Sequence, residues 1–415
     1  MKTKVSRSQL LSACLGNIFE HYDTALFGFL SPFLAPLFFP QQDPLTALIW
    51  TFSMIPIGML ARPIGSLAFG YIGDVYGRAK ALFLSLMGMA VISGAIAFCP
   101  TFEQAGFLAP LLLAVSRFLQ NFLAAGETMG GAIFVLENSE KKHHDILSSL
   151  YNASTIGGIL LASAGVSVLY FIDSVSWGWR VLYLLGCLTA LFGTFLRRNM
   201  TIEDTNPIPQ FSLKGIFQIF WECRKPLVMI ITASGFAYAN YSIALVLMNG
   251  FIPLVTSFTK AEMAALNTSL LVFDFIALPF FGWLAGKTSR EKVMIYAALG
   301  AGLSAIPLFM LLQGASLAIL IFVRICLVLF GVAFFAPFHA WAQQIVPKAH
   351  RYIIISFGYA MGSQLLGGPT AAVSLWLYQQ TGVVSSAAWY WLALGIVSGL
   401  FILKSSQRKS VESLS

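Results

Sequence analysis

The sequence predicts an all-α membrane protein, with twelve transmembrane helices in two six-helix halves. Of its 415 residues, 58% are hydrophobic and 10% are charged, whereas about a quarter of the residues of a soluble domain are charged. The apolar residues form long segments, and roughly 20 such residues are enough for a helix to cross a bilayer. A soluble fold of this length would not bury so much apolar surface, so the composition indicates a polytopic membrane protein.

Twelve apolar segments alternate along the chain with short polar turns. They lie near residues 9–36, 46–72, 79–99, 107–136, 146–171, 179–197, 225–255, 264–286, 292–312, 316–341, 351–380 and 386–404. The first segment follows Lys2, Lys4 and Arg7 as a signal peptide would, but Glu20 and Asp23 interrupt it and the apolar run then resumes. We interpret it as a retained first helix.

The basic residues predict the orientation of these helices. If both termini are cytoplasmic, 20 of the 25 lysines and arginines fall in cytoplasmic turns, as the positive-inside rule requires. We therefore expect a multi-pass protein of the inner (plasma) membrane that is surrounded by lipid. The net charge of +8 is spread over many turns, which argues against a nucleic-acid partner.

A polar linker at residues 198–224 divides the chain into two halves. We predict an N-terminal six-helix bundle at residues 1–197 and a C-terminal six-helix bundle at residues 225–415. The turn at 70–80 has a weak echo at residues 282–292, and matching turns at matching positions suggest related halves that rock about a midplane site.

Charged residues inside the predicted helices carry the functional argument, because ionised groups in hydrocarbon are kept mainly where they have a partner or a wet cavity. Glu20 and Asp23 are three residues apart and share a helix face. Asp23 lies about 14 residues into its helix, or roughly 21 Å at 1.5 Å per residue, which is near mid-bilayer. Arg62 and Arg117 reach similar depths. One helical stripe on the fourth segment contains Arg117, Gln120, Ala124 and Glu127.

Several motifs resemble those of one transporter family. One turn is similar to the loop between helices two and three of the major facilitator superfamily: Gly70-x-x-Gly73-Asp74-x-x-Gly77-Arg78-x-Lys80. Together with the preceding Arg62-Pro63, it resembles most closely the metabolite:proton symporters, the group that includes proline/betaine transporters. The segments 16–23 and 117–127 resemble the first and fourth helices of that group, with Asn121 and Ala125 in place of two glycines. The resemblance covers the whole chain, and more loosely its second half.

This resemblance implies roles for particular residues. The expected proton-coupling residues are Asp23, Glu20, Arg117 and Glu127, and the expected gating residues are Asp74, Gly77, Arg78 and Arg351. Candidates for substrate contacts are Arg62, Arg117, Gln120, Asn121, Tyr238, Asn240, Tyr241 and Gln364. For Asp23 with Arg117 the alternative is a static salt bridge, and for the polar residues of the second half it is hydrogen bonding between helices. Asp274 and Arg324 either pair with each other or take part in transport.

We interpret the sequence as that of a secondary transporter that imports a small zwitterionic or carboxylate metabolite together with protons. We expect it to function as a monomer. Arginine suits a carboxylate, and a buried acid suits a proton or a cationic amine. One alternative is a facilitator-type exporter of drugs or siderophores, and another is a receptor without transport. No catalytic triad, metal cluster or phosphate-binding loop is visible in the sequence, so we expect neither an enzyme nor a cofactor or metal.

Overall fold

The computed structural model describes residues 7–59, 61–76, 78–125, 132, 135–136, 139–171, 175–197, 213–347 and 350–412. The regular structure in these ranges is helical and contains no strand. Glu127 and Gly77, two residues of the predicted site, fall outside the described part of the chain, as does most of the predicted linker. The end of that linker forms the short helix Leu213–Glu222.

All twelve predicted segments correspond to described helices, which we call spans one to twelve in chain order. Within the first half the spans are Arg7–Phe38, Pro44–Met59 with Ala61–Tyr76, Arg78–Ala97, Leu108–Ala124, His144–Phe171 and Val175–Arg197. Those of the second half are Arg224–Tyr241 with Ser242–Leu247 and Met248–Val255, Lys260–Lys287, Arg290–Met310, Leu317–Phe335 with Phe338–Ile345, Arg351–Met361 with Gly362–Gly367 and Thr370–Thr381, and Val384–Ala388 with Trp389–Glu412.

The helices have the lengths and surfaces that a bilayer requires. Six of those described are long and apolar enough to cross a membrane, and three shorter apolar helices lie in the first half. Large apolar side chains, including Leu303 and Phe322, are exposed on the outside of the bundle. Such a surface is compatible with lipid and not with water, so the fold confirms a multi-pass all-helical membrane protein.

Polar side chains set the ends of several spans. Span eight begins with a capping box, in which the Thr259 hydroxyl accepts from the Glu262 backbone N–H and the Glu262 carboxylate accepts from Thr259 N at 2.7 Å. Ser289 and Ser316 cap spans nine and ten in a similar way. Each cap satisfies a backbone donor that the helix itself leaves free.

The two halves contact each other at both ends of the bundle. At the end where span six finishes and span seven begins, here called the linker end, Arg290 binds Asp145 through Nε and through Nη2, the latter at 3.0 Å from Oδ2. The Ser148 hydroxyl and the Asn152 amide donate there to backbone carbonyls of span ten, at 3.0 and 2.8 Å. At the opposite end, Lys260 Nζ donates to the Pro32 carbonyl at 2.9 Å.

Breaking the ion pair at the linker end should loosen that end. Asp145→Asn removes a half-buried ion pair that joins the two halves, which should cost ~1 kcal/mol. The probe is a single cysteine placed at Ser148 in a protein without its native cysteines. We expect this cysteine to be alkylated about fivefold faster in the Asp145→Asn variant than in the parent. The measurement is the alkylation rate in membranes. The exposed pair Lys142–Glu140 lies nearby within one half, so Lys142→Ala is the matched control. Equal rates in both variants and the parent would contradict a role for the Asp145 pair in closure.

Candidate functional site

A buried carboxylate in span one organises the polar interior of the first half. The Oδ2 atom of Asp23 accepts hydrogen bonds from the Ser93 hydroxyl at 2.6 Å and from the Gln120 side-chain amide. Its Oδ1 atom has no hydrogen-bond partner among the described residues and lies against Gly186 of span six, where a Cβ atom would come within 2.6 Å of it. Asp23 is only 2% exposed, so this carboxylate is enclosed by spans one, three, four and six.

Gln120 joins Asp23 to Arg117. Its Nε2 atom donates to Asp23, while its Oε1 atom accepts from Arg117 Nη1. The Arg117 guanidinium also lies over the Phe27 ring, with Cζ at 4.6 Å from the ring centroid, and its Nε atom has no hydrogen-bond partner. The predicted pair is therefore connected through an amide. In the described structure the carboxylate and the guanidinium make no direct ion pair.

Arg62 belongs to the same network. Its Nε atom donates to Asn121 Oδ1 at 3.1 Å, and Asn121 Nδ2 donates to the Arg117 carbonyl at 2.9 Å. Both arginines are almost completely buried. Asn121, which replaces a glycine of the family motif, thus supplies a hydrogen bond that orients Arg62. The structure brings together five of the predicted residues: Asp23, Arg62, Arg117, Gln120 and Asn121.

Glu20 lies one turn before Asp23, is 2% exposed, and has partners of its own. Its carbonyl accepts from the Thr24 hydroxyl at 2.9 Å. The neighbouring His21 ring contacts the Asn17 carbonyl through Nδ1 at 2.9 Å. The Glu20 side chain is buried in the bundle, so a second acid lies on the same span as Asp23.

The predicted polar residues of the second half divide into two groups. Tyr238 and Tyr241 pack ring against ring, with centroids 5.7 Å apart. Asn240 instead donates to the Leu327 carbonyl of span ten at 3.0 Å, which is the interhelical bond of the alternative interpretation. Gln364 is buried, and within the described part of the chain neither its Nε2 nor its Oε1 atom has a hydrogen-bond partner.

Arg324 and Asp274 do not pair, so that alternative from the sequence is wrong. Arg324 Nη2 donates to Asn267 Oδ1 at 2.7 Å, and Asn267 Nδ2 reaches Ser163 of the first half at 3.3 Å. Asp274 lies about two helical turns beyond Asn267 on span eight and has no ion-pair partner among the described residues. The helical register explains the error, because each residue advances the helix by 1.5 Å and carries Asp274 away from Arg324.

The predicted gating residues are only partly described. Asp74 lies near the end of the helix Ala61–Tyr76 and Arg78 begins the next helix, while the structure describes neither of these side chains. Arg351 begins span eleven, and its Nε atom donates to the Val346 carbonyl at 3.3 Å. Their gating role stays a prediction.

Some partners in the network carried no signal in the sequence. Ser93 is one of the two serines in span three, and only the fold places its hydroxyl on Asp23. The bond between Asp145 and Arg290 joins residues 145 positions apart. Among the described residues, no three His, Cys, Asp or Glu side chains converge as metal ligands.

Comparison with known proteins finds transporters. Residues 10–205 match the model of the family "Sugar (and other) transporter". The chain is 29% identical over 414 residues to the putative proline/betaine transporter of Staphylococcus haemolyticus (strain JCSC1435), covering 96% of this chain and 87% of that protein. It is 23% identical over 431 residues to the proline/betaine transporter of Escherichia coli (strain K12), covering 97% of this chain and 84% of the relative.

The fold is shared with solved transporters. A D-xylose-proton symporter superposes with a TM-score of 0.73 at 17% identity, over 95% of this chain and 96% of that one. The POT family transporter PepTSo superposes with a TM-score of 0.71 at 13% identity, over 97% of this chain and 98% of that one. The chain therefore has the fold of these major facilitator transporters, and its family match and relatives indicate a transporter and not an enzyme.

Proposed function

We propose that the protein imports a small zwitterionic osmolyte or carboxylate metabolite, of the proline or betaine type, together with protons. The observation that carries this proposal is the chain of contacts from Asp23 through Gln120 to Arg117. It joins a group that can hold a proton to a group that can hold a carboxylate. The names of the relatives, proline/betaine transporters, support the substrate class. The protein would act as a monomer in the inner membrane, with both termini in the cytoplasm.

The amide of Gln120 suggests how protonation would affect substrate binding. An amide has one donating and one accepting side. With Asp23 ionised, the donating side faces the carboxylate and the accepting side faces Arg117. A protonated Asp23 becomes a donor and favours the amide oxygen, so the Gln120 side chain turns and presents its NH₂ group to Arg117. Arg117 has no acceptor for that group, and its guanidinium is released to bind a substrate carboxylate.

The focused site also favours the importer over the exporter of drugs or siderophores. Two arginines and an acid are enclosed within a few helical turns, and Arg117 is 2% exposed. Bidentate arginine contacts recognise a carboxylate with defined geometry. A site of this kind selects small charged substrates, whereas a broad aromatic cavity would accept many.

The first prediction concerns Asp23. Asp23→Asn should abolish accumulation driven by a pH gradient but preserve exchange of labelled substrate across the membrane, because a neutral amide imitates the protonated acid. The measurement is uptake of glycine betaine and proline in proteoliposomes, with and without an imposed gradient, beside a counterflow assay.

A matched control is Asp43→Asn. Asp43 lies outside the spans and accepts from Leu45 N and Thr46 N at 3.1 Å, and asparagine caps a helix about as well as aspartate. This variant should accumulate substrate like the parent. Accumulation by Asp23→Asn at the parent's level would show that another acid, Glu20 or Glu127, carries the proton.

The second prediction concerns Arg117. Arg117→Ala should lose both accumulation and exchange, since it removes the group that would hold the substrate carboxylate and the donor that orients the Gln120 amide. Truncating one partner of a buried charge pair formed on binding costs about 2–5 kcal/mol, so substrate affinity should fall by at least about thirtyfold. Isothermal calorimetry in detergent measures this affinity.

A control for Arg117→Ala distinguishes a loss of folding stability from a loss of substrate affinity. The double variant Asp23→Asn, Arg117→Ala removes both charges and should recover thermal stability without recovering affinity. Recovery of substrate affinity in the double variant would contradict Arg117 as the carboxylate ligand.

A further inference from the structure

A proline in span one frees a backbone carbonyl that the other half of the protein uses. Span one contains Pro32 and Pro36 within its helix. Because proline has no backbone N–H, Pro36 cannot donate to the carbonyl four residues earlier, which is that of Pro32. Pro32 is buried, and a buried carbonyl needs a partner. The donor is the Lys260 ammonium of span eight, whose Nζ atom lies 2.9 Å from the Pro32 oxygen.

Lys260 makes this contact where the two halves pack closely, at the end of the bundle opposite the linker end. It is the first residue of span eight, directly after the N-cap residue Thr259. Its Nζ atom lies 5.8 Å from the centroid of the Phe33 ring, which is within the range of a cation–π contact. Beside it, a Cβ atom at Gly250 of span seven would come within 2.8 Å of the Leu48 side chain. The contact therefore joins the halves at a closed end.

A second acceptor for the ammonium lies in the same half as Lys260. A small cavity of about 10 Å³ is lined by Lys260, by Pro32 and by Asn249 of span seven, among others. Asn249 is 6% exposed. Its Nδ2 atom donates to the Leu245 carbonyl of its own span at 3.1 Å, while its Oδ1 atom has no hydrogen-bond partner among the described residues. The cavity has room for about one water molecule, and an ammonium group has a similar size.

We propose that Lys260 and Asn249 are gating residues at this end, and that the Lys260 ammonium alternates between two acceptors. With the end closed, it donates to the Pro32 carbonyl of the other half. When the end opens, Pro32 moves away with span one, and the ammonium turns into the cavity and donates to Asn249 Oδ1. The cation then has a partner in both states, so opening does not leave it unsatisfied. That this end faces the outside rests on the proposed function, which places the linker in the cytoplasm.

The test measures how often this end opens. A single cysteine replaces Val166 of span five, which lines the cavity and is 3% exposed, in a protein without its native cysteines. Its rate of alkylation by N-ethylmaleimide is measured in membranes, without substrate or gradient, in the parent, in Lys260→Met, in Asn249→Leu and in the double variant. Lys287→Met is the matched control, because Lys287 is exposed at the other end of the same span and contacts Trp283 of its own helix.

The two single variants should change the rate in opposite directions. In Lys260→Met the cysteine should react about fivefold faster than in the parent, as expected for the loss of one hydrogen bond that favours the closed state. In Asn249→Leu it should react about fivefold more slowly, because Lys260 then has an acceptor only in the closed state. The double variant should match Lys260→Met, since Asn249 acts through the ammonium, and Lys287→Met should match the parent.

An unchanged rate in Lys260→Met would overturn the assignment. A rate in Asn249→Leu equal to or above that of the parent would also overturn it, since that result is expected if Asn249 only binds a water molecule or supports packing. So would a double variant that reacts more slowly than Lys260→Met, because Asn249 would then act through another group. The proposed function is tested separately, by accumulation of substrate under a pH gradient. Failure of accumulation, with the alkylation rates as expected, would remove that function and leave the gate.

Discussion

A charge inside a membrane protein must find its partners among neighbouring helices, since lipid offers none. Asp23 meets this constraint with hydrogen bonds from Ser93 on span three and Gln120 on span four. Those bonds fix how spans one, three and four face each other, and Gln120 in turn fixes Arg117. The polar interior of the first half is therefore one connected network, in which a change at Asp23 reaches the arginines through a defined series of contacts.

The contacts between the two halves are individually weaker than the buried network of the first half. At the linker end they combine an ion pair with hydrogen bonds from Ser148 and Asn152 to backbone carbonyls. At the opposite end, Lys260 donates to the Pro32 carbonyl. Each such contact contributes roughly a kilocalorie per mole. Contacts of this size hold each end closed and can still be exchanged, as transport by rocking halves requires.

The sequence predicted the fold well because lipid acts on every residue of a span in the same way. All twelve apolar segments contain a described helix, including span eight at Lys260–Lys287. The fourth segment, predicted to reach residue 136, is described as a helix as far as Ala124. Depth along a helix was equally predictable, because the rise per residue is fixed, and it placed Asp23, Arg62 and Arg117 in one region. These are properties of a single helix, which a sequence displays directly.

Partners across helices were less predictable. The sequence suggested Asp274 beside Arg324, but the packing gives Arg324 to Asn267, because the relative placement of neighbouring helices decides which side chains meet. Ser93 was not singled out for the same reason. Motifs from a known family reveal residues that the family shares, and they say little about a serine that only the assembled bundle brings into place.

An amide between the acid and the arginine has an energetic consequence of its own. Separating a direct buried ion pair costs about 3–5 kcal/mol, and a substrate would have to supply that energy before it could bind. A hydrogen bond to a charged group contributes about 1.5–3 kcal/mol, and Gln120 can exchange one for another by turning its amide. Under the proposed mechanism, Gln120 holds Arg117 until Asp23 takes up a proton, and the turned amide then releases the guanidinium. The glutamine would convert a change of charge at Asp23 into a change of hydrogen-bond direction at Arg117.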